Sequence, residues 1–225
     1  MSLLEEKDRQ FLKEKFSKEM DKKVKILFFS NELNCQYCKE IKMLLEEVKE
    51  LSDKIEFQEF NFVTDKEEAQ KYNLENSPVI VFLNDQGEDT GIRFYGIPSG
   101  YEFTTFIEDV IMISSGKHQL SDKAVEEISK IDKPIEIKVF VTPTCPYCPK
   151  AVFLAHQLAF INKNITGKMI EAMEYGEWAQ KYNVYGVPKN VVNDVVEFEG
   201  AVPEKVFVKQ VLEAYKKGGS SLIVE

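Results

Sequence analysis

Long hydrophobic runs are missing from this sequence. No stretch approaches eighteen uninterrupted apolar residues, which excludes a transmembrane helix. The opening residues, Met1-Ser2-Leu3-Leu4-Glu5-Glu6-Lys7, lack the basic start and apolar core of a signal peptide, so a cytoplasmic location is expected. Positive charge is also short: 29 Lys and Arg stand against 38 Asp and Glu, a formal net of -9. Binding to nucleic acid without sequence preference rests on many phosphate contacts, and this balance argues against it. Arginine is reduced to Arg9 and Arg93. What is present is enough apolar material for a core, 44% of 225 residues, in a chain long enough for two ordinary domains. That excludes a disordered tail, a collagen-like repeat and a disulfide-stapled mini-protein.

The four cysteines fall into two pairs, Cys35-Gln36-Tyr37-Cys38 and Cys145-Pro146-Tyr147-Cys148, with the second 110 residues after the first. The same offset carries Ala69-Gln70-Lys71-Tyr72-Asn73 onto Ala179-Gln180-Lys181-Tyr182-Asn183, Glu67 onto Glu177 and Pro78 onto Pro188. Two short motifs could coincide; a pentapeptide and a proline in one register should not. The chain is an internal duplication of two units. A boundary is expected near Ser115-Gly116-Lys117-His118, giving units 1–117 and 118–225. Their charges differ, a net of -8 for the first and -1 for the second.

Each unit reads α-β-α-β-α-β-β-α. Helices are predicted at 8–20, with Phe11, Leu12, Phe16 and Met20 on one face, and at 122–131. Strands follow at 24–29 and 135–141, then the cysteine pairs, each heading a helix. Val152 to Ile161 is apolar nearly all round, which predicts deep burial. Next come an alternating strand (from Ile55, or with Met169, Glu171 and Met173 on one face) and a short polar helix ending in Lys-Tyr-Asn. A proline-led strand (78–83, 188–192), a hairpin partner (91–95, 195–198) and an amphipathic helix (101–114, 204–216) complete the unit. The fold class is α/β, with a small mixed sheet flanked by helices in each unit. The tail 216–221 is linker-like, and Leu222-Ile223-Val224 is too short to interpret.

A helix N-terminus leaves unpaired backbone N–H groups and partial positive charge, so a cysteine placed there is stabilised as thiolate. Cys35 and Cys145 sit at such strand-to-helix junctions. The second cysteine of each pair lies one turn below and can attack a mixed disulfide. Cys35 and Cys145 therefore read as nucleophiles, Cys38 and Cys148 as resolving thiols. Pro146 suits the first helical position, which Gln36 does not. The competing reading is a four-thiolate zinc site. A zinc ribbon, however, spaces its halves by ~15–20 residues, far fewer than lie between Cys38 and Cys145. Pro78 and Pro188 each lie 40 residues beyond the resolving cysteine; by statistics alone each is a plain strand-start proline. His118 reads as a junction residue, His156 as a core or interface histidine, Trp178 as helix packing, and Lys39 and Lys150 as surface lysines.

The segment Phe140-Val141-Thr142-Pro143-Thr144-Cys145-Pro146-Tyr147-Cys148-Pro149 resembles the glutaredoxin active site. With Val187-Pro188, Glu197-Phe198-Glu199-Gly200-Ala201 and Gly91-Ile92-Arg93-Phe94-Tyr95-Gly96, it resembles the two-domain, glutaredoxin-like protein disulfide oxidoreductases of thermophilic archaea and bacteria. That resemblance implies tandem thioredoxin folds and thiol–disulfide exchange on protein disulfide and dithiol substrates, with reductase, oxidase and isomerase-like activity. It implies cis prolines at 78 and 188 facing the disulfides, with the backbone at Ser77 and Val187 pairing with an extended substrate strand. It also implies a flavin-dependent, thioredoxin-reductase-like electron donor. No metal and no bound cofactor are required. The sequence departs from ordinary thioredoxin in lacking Trp-Cys-Gly-Pro-Cys, with Asn34 and Thr144 before the nucleophiles. It also has Phe29 and Val139 where a buried aspartate is usual, and Glu32 is the acid nearest the first site in sequence. The alternatives are a dedicated electron carrier to a peroxiredoxin-type acceptor and, from another class, a zinc-binding or chaperone-like module.

Overall fold

The structure, a computed structural model, describes residues 3–31 and 35–218. Glu32, Asn34 and 222–224 lie outside the described residues. The first half runs α1 (Glu6–Glu19), β1 (Val24–Ser30), α2 (Cys38–Lys49), β2 (Ile55–Asn61), α3 (Lys66–Lys71), β3 (Val79–Leu83), β4 (Asp89–Tyr95) and α4 (Glu102–Ser115). The second runs α5 (Asp122–Ile128), β5 (Ile135–Val141), α6 (Cys148–Ile161), β6 (Ile165–Glu171), α7 (Gly176–Lys181), β7 (Lys189–Val192), β8 (Val196–Glu199) and α8 (Glu204–Gly218). Both halves keep the order expected from the sequence. In α1 the apolar face is narrower than expected: Leu12 and Phe16 are buried but Phe11 is 65% exposed.

The repeated Tyr-Asn closes α3 and α7. Tyr72 and Tyr182 cap the helices, and Asn73 and Asn183 follow at φ 51° and 50°. Asparagine tolerates this left-handed region better than most residues, so the helix stops and the chain turns into the proline loop.

The eight strands form one sheet in the order β2-β1-β3-β4-β6-β5-β7-β8. The two small sheets that the sequence suggests are joined edge to edge, because β4 pairs in parallel with β6 from Ile92↔Gly167 to Tyr95↔Ile170. β1 is antiparallel to β3 and β3 to β4, while β4, β6 and β5 are parallel. β1 and β5 therefore point the same way, and the segments that follow them leave the same end of the sheet. The join also alters β6. Its last five residues, Gly167 to Glu171, are all buried instead of alternating, since β6 has a strand on either side and both faces covered. Met173 lies beyond the strand and is 80% exposed.

One face packs Ile26, Phe28, Phe82, Phe94, Ile137 and Val139 beneath α1, α2, α4, α5, α6 and α8. The opposite face packs Phe29, Val81, Tyr95, Phe140 and Ile170 near α3 and α7. The Phe94 ring lies 5.7 Å from Phe106 of its own half and, across the join, 5.0 Å from His156. His156 Nδ1 is 2.6 Å from Asp109 Oδ2, with both side chains fully buried. Close approach there requires glycine. Gly91 (φ +74°) faces the Ile165 carbonyl, which a Cβ would strike, and Gly96 (φ +97°) faces the Glu171 and Glu174 side chains.

Candidate active site

β1 and β5 deliver the cysteine pairs to one end of the sheet. Both pairs are disulfides, each with Cα atoms 5.5 Å apart. The helices begin at the second cysteine, with Tyr37 and Tyr147 as N-caps. Pro146, expected at the first helical position, therefore lies ahead of the cap, and Pro149 occupies the first turn of α6 instead. The first cysteine remains within reach of the helix start, since the Cys148 N–H points at Cys145 Sγ from 3.1 Å. In each pair the first cysteine is the more accessible. Cys35 is half-buried against 6% exposure for Cys38, and Cys145 is 7% exposed against 0% for Cys148.

The Ser77-Pro78 and Val187-Pro188 bonds are both cis. The Val187 carbonyl lies 3.8 Å from Cys145 Sγ, so the second proline loop faces its disulfide directly. The Pro78 carbonyl accepts from Gly96 N–H at 3.1 Å, and the Pro188 carbonyl from Gly200 N–H at 2.8 Å. The loops differ just before the proline. Asn76 Oδ1 accepts the Ser77 N–H at 2.8 Å, whereas Gly186 at the matching position has no side chain to do so.

From β1 to β5 there are four strand spacings, ~19 Å at ~4.8 Å each. The two pairs cannot share one tetrahedral ion, whose Zn–S bonds are ~2.3 Å, so the four-thiolate reading fails on geometry. Nor can the pairs exchange disulfides with each other directly. Among the described residues, no group of three or more His, Cys, Asp and Glu is arranged to hold a metal. A cleft of about 710 Å³ opens between the sites, lined by Gln36 and Tyr37 of the first motif, Ile97 and Phe103, and Pro143 and Met173.

Two acidic side chains, Glu171 and Glu174, line this cleft. Glu174 Oε1 accepts the Ile97 N–H at 2.7 Å, and burial raises its carboxyl to about 7. Glu171 accepts the Glu174 N–H at 2.7 Å and is likewise raised by burial. On α4, Glu102 is 1% exposed, bonded to the Thr105 hydroxyl at 2.8 Å, and pushed by burial to about 7. Glu171 and Glu174 fall where the repeats diverge, against Asn61 and Thr64 of the first half. That divergence is visible in the sequence, but its meaning depends on the join.

A family model described as a thioredoxin-like domain matches residues 12–111, and one described as a thioredoxin domain matches residues 135–213. The chain is a tandem of two thioredoxin-like domains. A protein disulfide oxidoreductase from Aeropyrum pernix k1 aligns with the tandem at 28% identity and TM-score 0.88, over 96% of both chains. The NTD_N/C domain of the alkylhydroperoxide reductase AhpF from Enterococcus faecalis aligns at 26% identity and TM-score 0.86, over 92% of this chain and 99% of that one. The corresponding alkyl hydroperoxide reductase component of Staphylococcus epidermidis is 31% identical over 149 residues, 66% of this chain but 26% of that protein. A Bacillus subtilis NADH dehydrogenase is 29% identical over 131 residues, again 26% of its own length. The tandem thus spans about a quarter of the length of these curated relatives. The twin domains, each with a disulfide-capable cysteine pair, have a thiol–disulfide oxidoreductase fold and fit thiol–disulfide exchange. No helix among the described residues is long and apolar enough to cross a membrane.

Proposed function

We propose that this tandem is a protein thiol–disulfide oxidoreductase with two active sites, its domains dividing near residues 117 and 118. In the reducing direction the Cys35 or Cys145 thiolate attacks a substrate disulfide and expels one substrate thiolate, which takes up a proton. Cys38 or Cys148, deprotonated, then attacks the mixed disulfide and releases the second substrate thiol. Two electrons pass to the substrate and the enzyme is left as a disulfide; the reverse sequence oxidises a dithiol. The backbone at Ser77 and Val187, beside Pro78 and Pro188, offers hydrogen-bonding groups to an extended substrate strand. The supporting observation is the second proline loop, whose Val187 carbonyl lies 3.8 Å from the Cys145 sulfur. Electrons would come from a flavin-dependent, thioredoxin-reductase-like donor in the cytoplasm. Insulin reduction by the intact chain, and its loss when all four cysteines are serine, tests the proposal; undiminished turnover without the cysteines would sink it.

A second reading is favoured by the likeness to the alkyl hydroperoxide reductases: the tandem passes electrons to one peroxidase partner. Faster oxidation of the reduced tandem by a peroxiredoxin than by insulin would favour it.

A further inference from the structure

The proline loop of the first site, residues 73–78, is fastened from the other half of the chain. The Tyr175 hydroxyl, in the turn after β6, donates to the Pro78 carbonyl at 2.7 Å within a buried setting. Tyr175 is 5% exposed and is itself fixed by Tyr95 at a ring distance of 5.6 Å and by Trp178 at 5.0 Å. Lys168 Nζ on β6 pairs with Glu75 at 2.6 Å and also with Glu136, and lies over the Tyr95 ring. Burial works against the Lys168 charge, but Tyr95, Glu136 and Glu75 outweigh it and raise its pKa, so the ammonium is retained. Glu174 holds the Ile97 N–H, next to the Gly96 whose own N–H bonds Pro78.

The second loop, 183–188, is held differently. Among the described residues its hydrogen bonds come from its own half: from α7, from Gly200 and from the contact with Cys145. The repeats diverge at the clamping positions. Tyr175 matches Asp65, Lys168 matches Gln58, and Glu75 matches Tyr185, which is 91% exposed. The residues shared between the repeats, Ala-Gln-Lys-Tyr-Asn and the proline, serve the fold of each half, while the divergent ones bind the halves together at one site.

We propose that Tyr175 is the central positioning residue of a clamp, completed by Lys168 and Glu174, through which the second domain holds the Pro78 loop of the first site ready for an extended polypeptide. A loop that must be ordered as it binds loses that ordering entropy from its affinity, and one fixed beforehand does not. The first site thus depends on the second domain for substrate docking, while the second site supplies its own. This rests on the oxidoreductase reading above.

Two backgrounds separate the sites. Cys145→Ser/Cys148→Ser leaves the first site and Cys35→Ser/Cys38→Ser the second. Tyr175→Phe is placed in each; dithiothreitol-driven turnover is measured with insulin, and reduction of the small disulfide 5,5′-dithiobis(2-nitrobenzoate), which needs no strand pairing, is measured with pre-reduced protein freed of dithiothreitol. At the first site the KM for insulin is expected to rise about 3- to 10-fold, the range of one lost hydrogen bond. Its kcat, and its rate of reducing the small disulfide, should stay within about twofold, as should every constant at the second site. A general loss of structure would not produce that split. Glu75→Gln, which alters an exposed carboxylate and leaves the core intact, should give a smaller rise confined to the first site. An unchanged KM in both variants, or an equal rise at both sites, overturns the clamp. Absence of insulin reduction in both backgrounds with Tyr175 intact overturns the oxidoreductase reading, and the clamp with it.

Discussion

The Cys148 amide, 3.1 Å from the Cys145 sulfur, gives the first cysteine a hydrogen-bond donor that strengthens when the sulfur carries charge. After reduction, Cys35 and Cys145 are expected to alkylate near neutral pH faster than Cys38 and Cys148. Mass-spectrometric mapping that finds either second cysteine reacting first would contradict this. These four residues are legible in the sequence because their chemistry is local, written in a three-residue spacing and a repeat register; the register also marks the two prolines, whose place beside the disulfides only the family resemblance implies. Glu102 and Glu174 are not legible there, since each differs from an ordinary glutamate only through what buries it. Their carboxyls are raised from 4.5 to about 7, so the folded state holds protons that the unfolded chain has released. The stability they supply is full below pH ~4.5 and is lost as pH rises through about 7. Glu102→Gln should therefore flatten part of the fall in melting temperature between pH 5 and pH 8, measured by calorimetry. An unaltered slope would show that Glu102 does not ionise across that range.

Helix α6 is apolar on nearly all sides because of its position: it packs on α4 of the other domain as well as on β4, β5 and β6. It starts two residues later than Pro146 suggests, because a proline between two cysteines resembles the first-turn proline that Pro149 turns out to be. The correction moves the rigid residue into the helix without changing the comparison, as α2 has Lys39 where α6 has Pro149. A preorganised first turn favours the Cys145 thiolate, although a lower thiol pKa also weakens nucleophilicity with a Brønsted slope of ~0.4–0.5. The Asn76 side chain, which occupies the Ser77 N–H, weighs against the first site too. The Cys145→Ser/Cys148→Ser protein is expected to lose most insulin reductase activity, leaving a first site about 10-fold slower than the second. Retention of most activity would place the dominant chemistry at Cys35. Strand β6 is the least legible element, because its burial is imposed by β4, a neighbour from the other half of the chain.

At the scale of the molecule, the duplication suggests two units that could stand apart, and the continuous sheet changes that expectation. Separating the halves at 117/118 strips β4 and β6 of their partner, exposes Phe94 and divides the buried His156–Asp109 pair. Breaking such a pair leaves an unpaired polar group where water was excluded, a penalty of about 1–3 kcal/mol. Each half is expected to melt well below the intact chain and to self-associate, checked by circular dichroism and size-exclusion chromatography. Two monomeric halves as stable as the whole would mean the join contributes nothing. The join is also head-to-tail: the β4 edge of one domain meets the edge of the next that corresponds to β2. A contact of that kind has no built-in stop. The outer strands, β2 and β8, run parallel to one another, so the same pairing would let further molecules dock end over end, as a tile abuts its copy. Both outer strands carry charged side chains, Glu56 and Glu59 on one and Glu197 and Glu199 on the other, and Glu56, Glu59 and Glu197 are each held by a lysine, Lys23, Lys42 and Lys189. The same topology that welds two domains into one sheet thus leaves a matching free edge at either end of the molecule, each fringed with charged side chains.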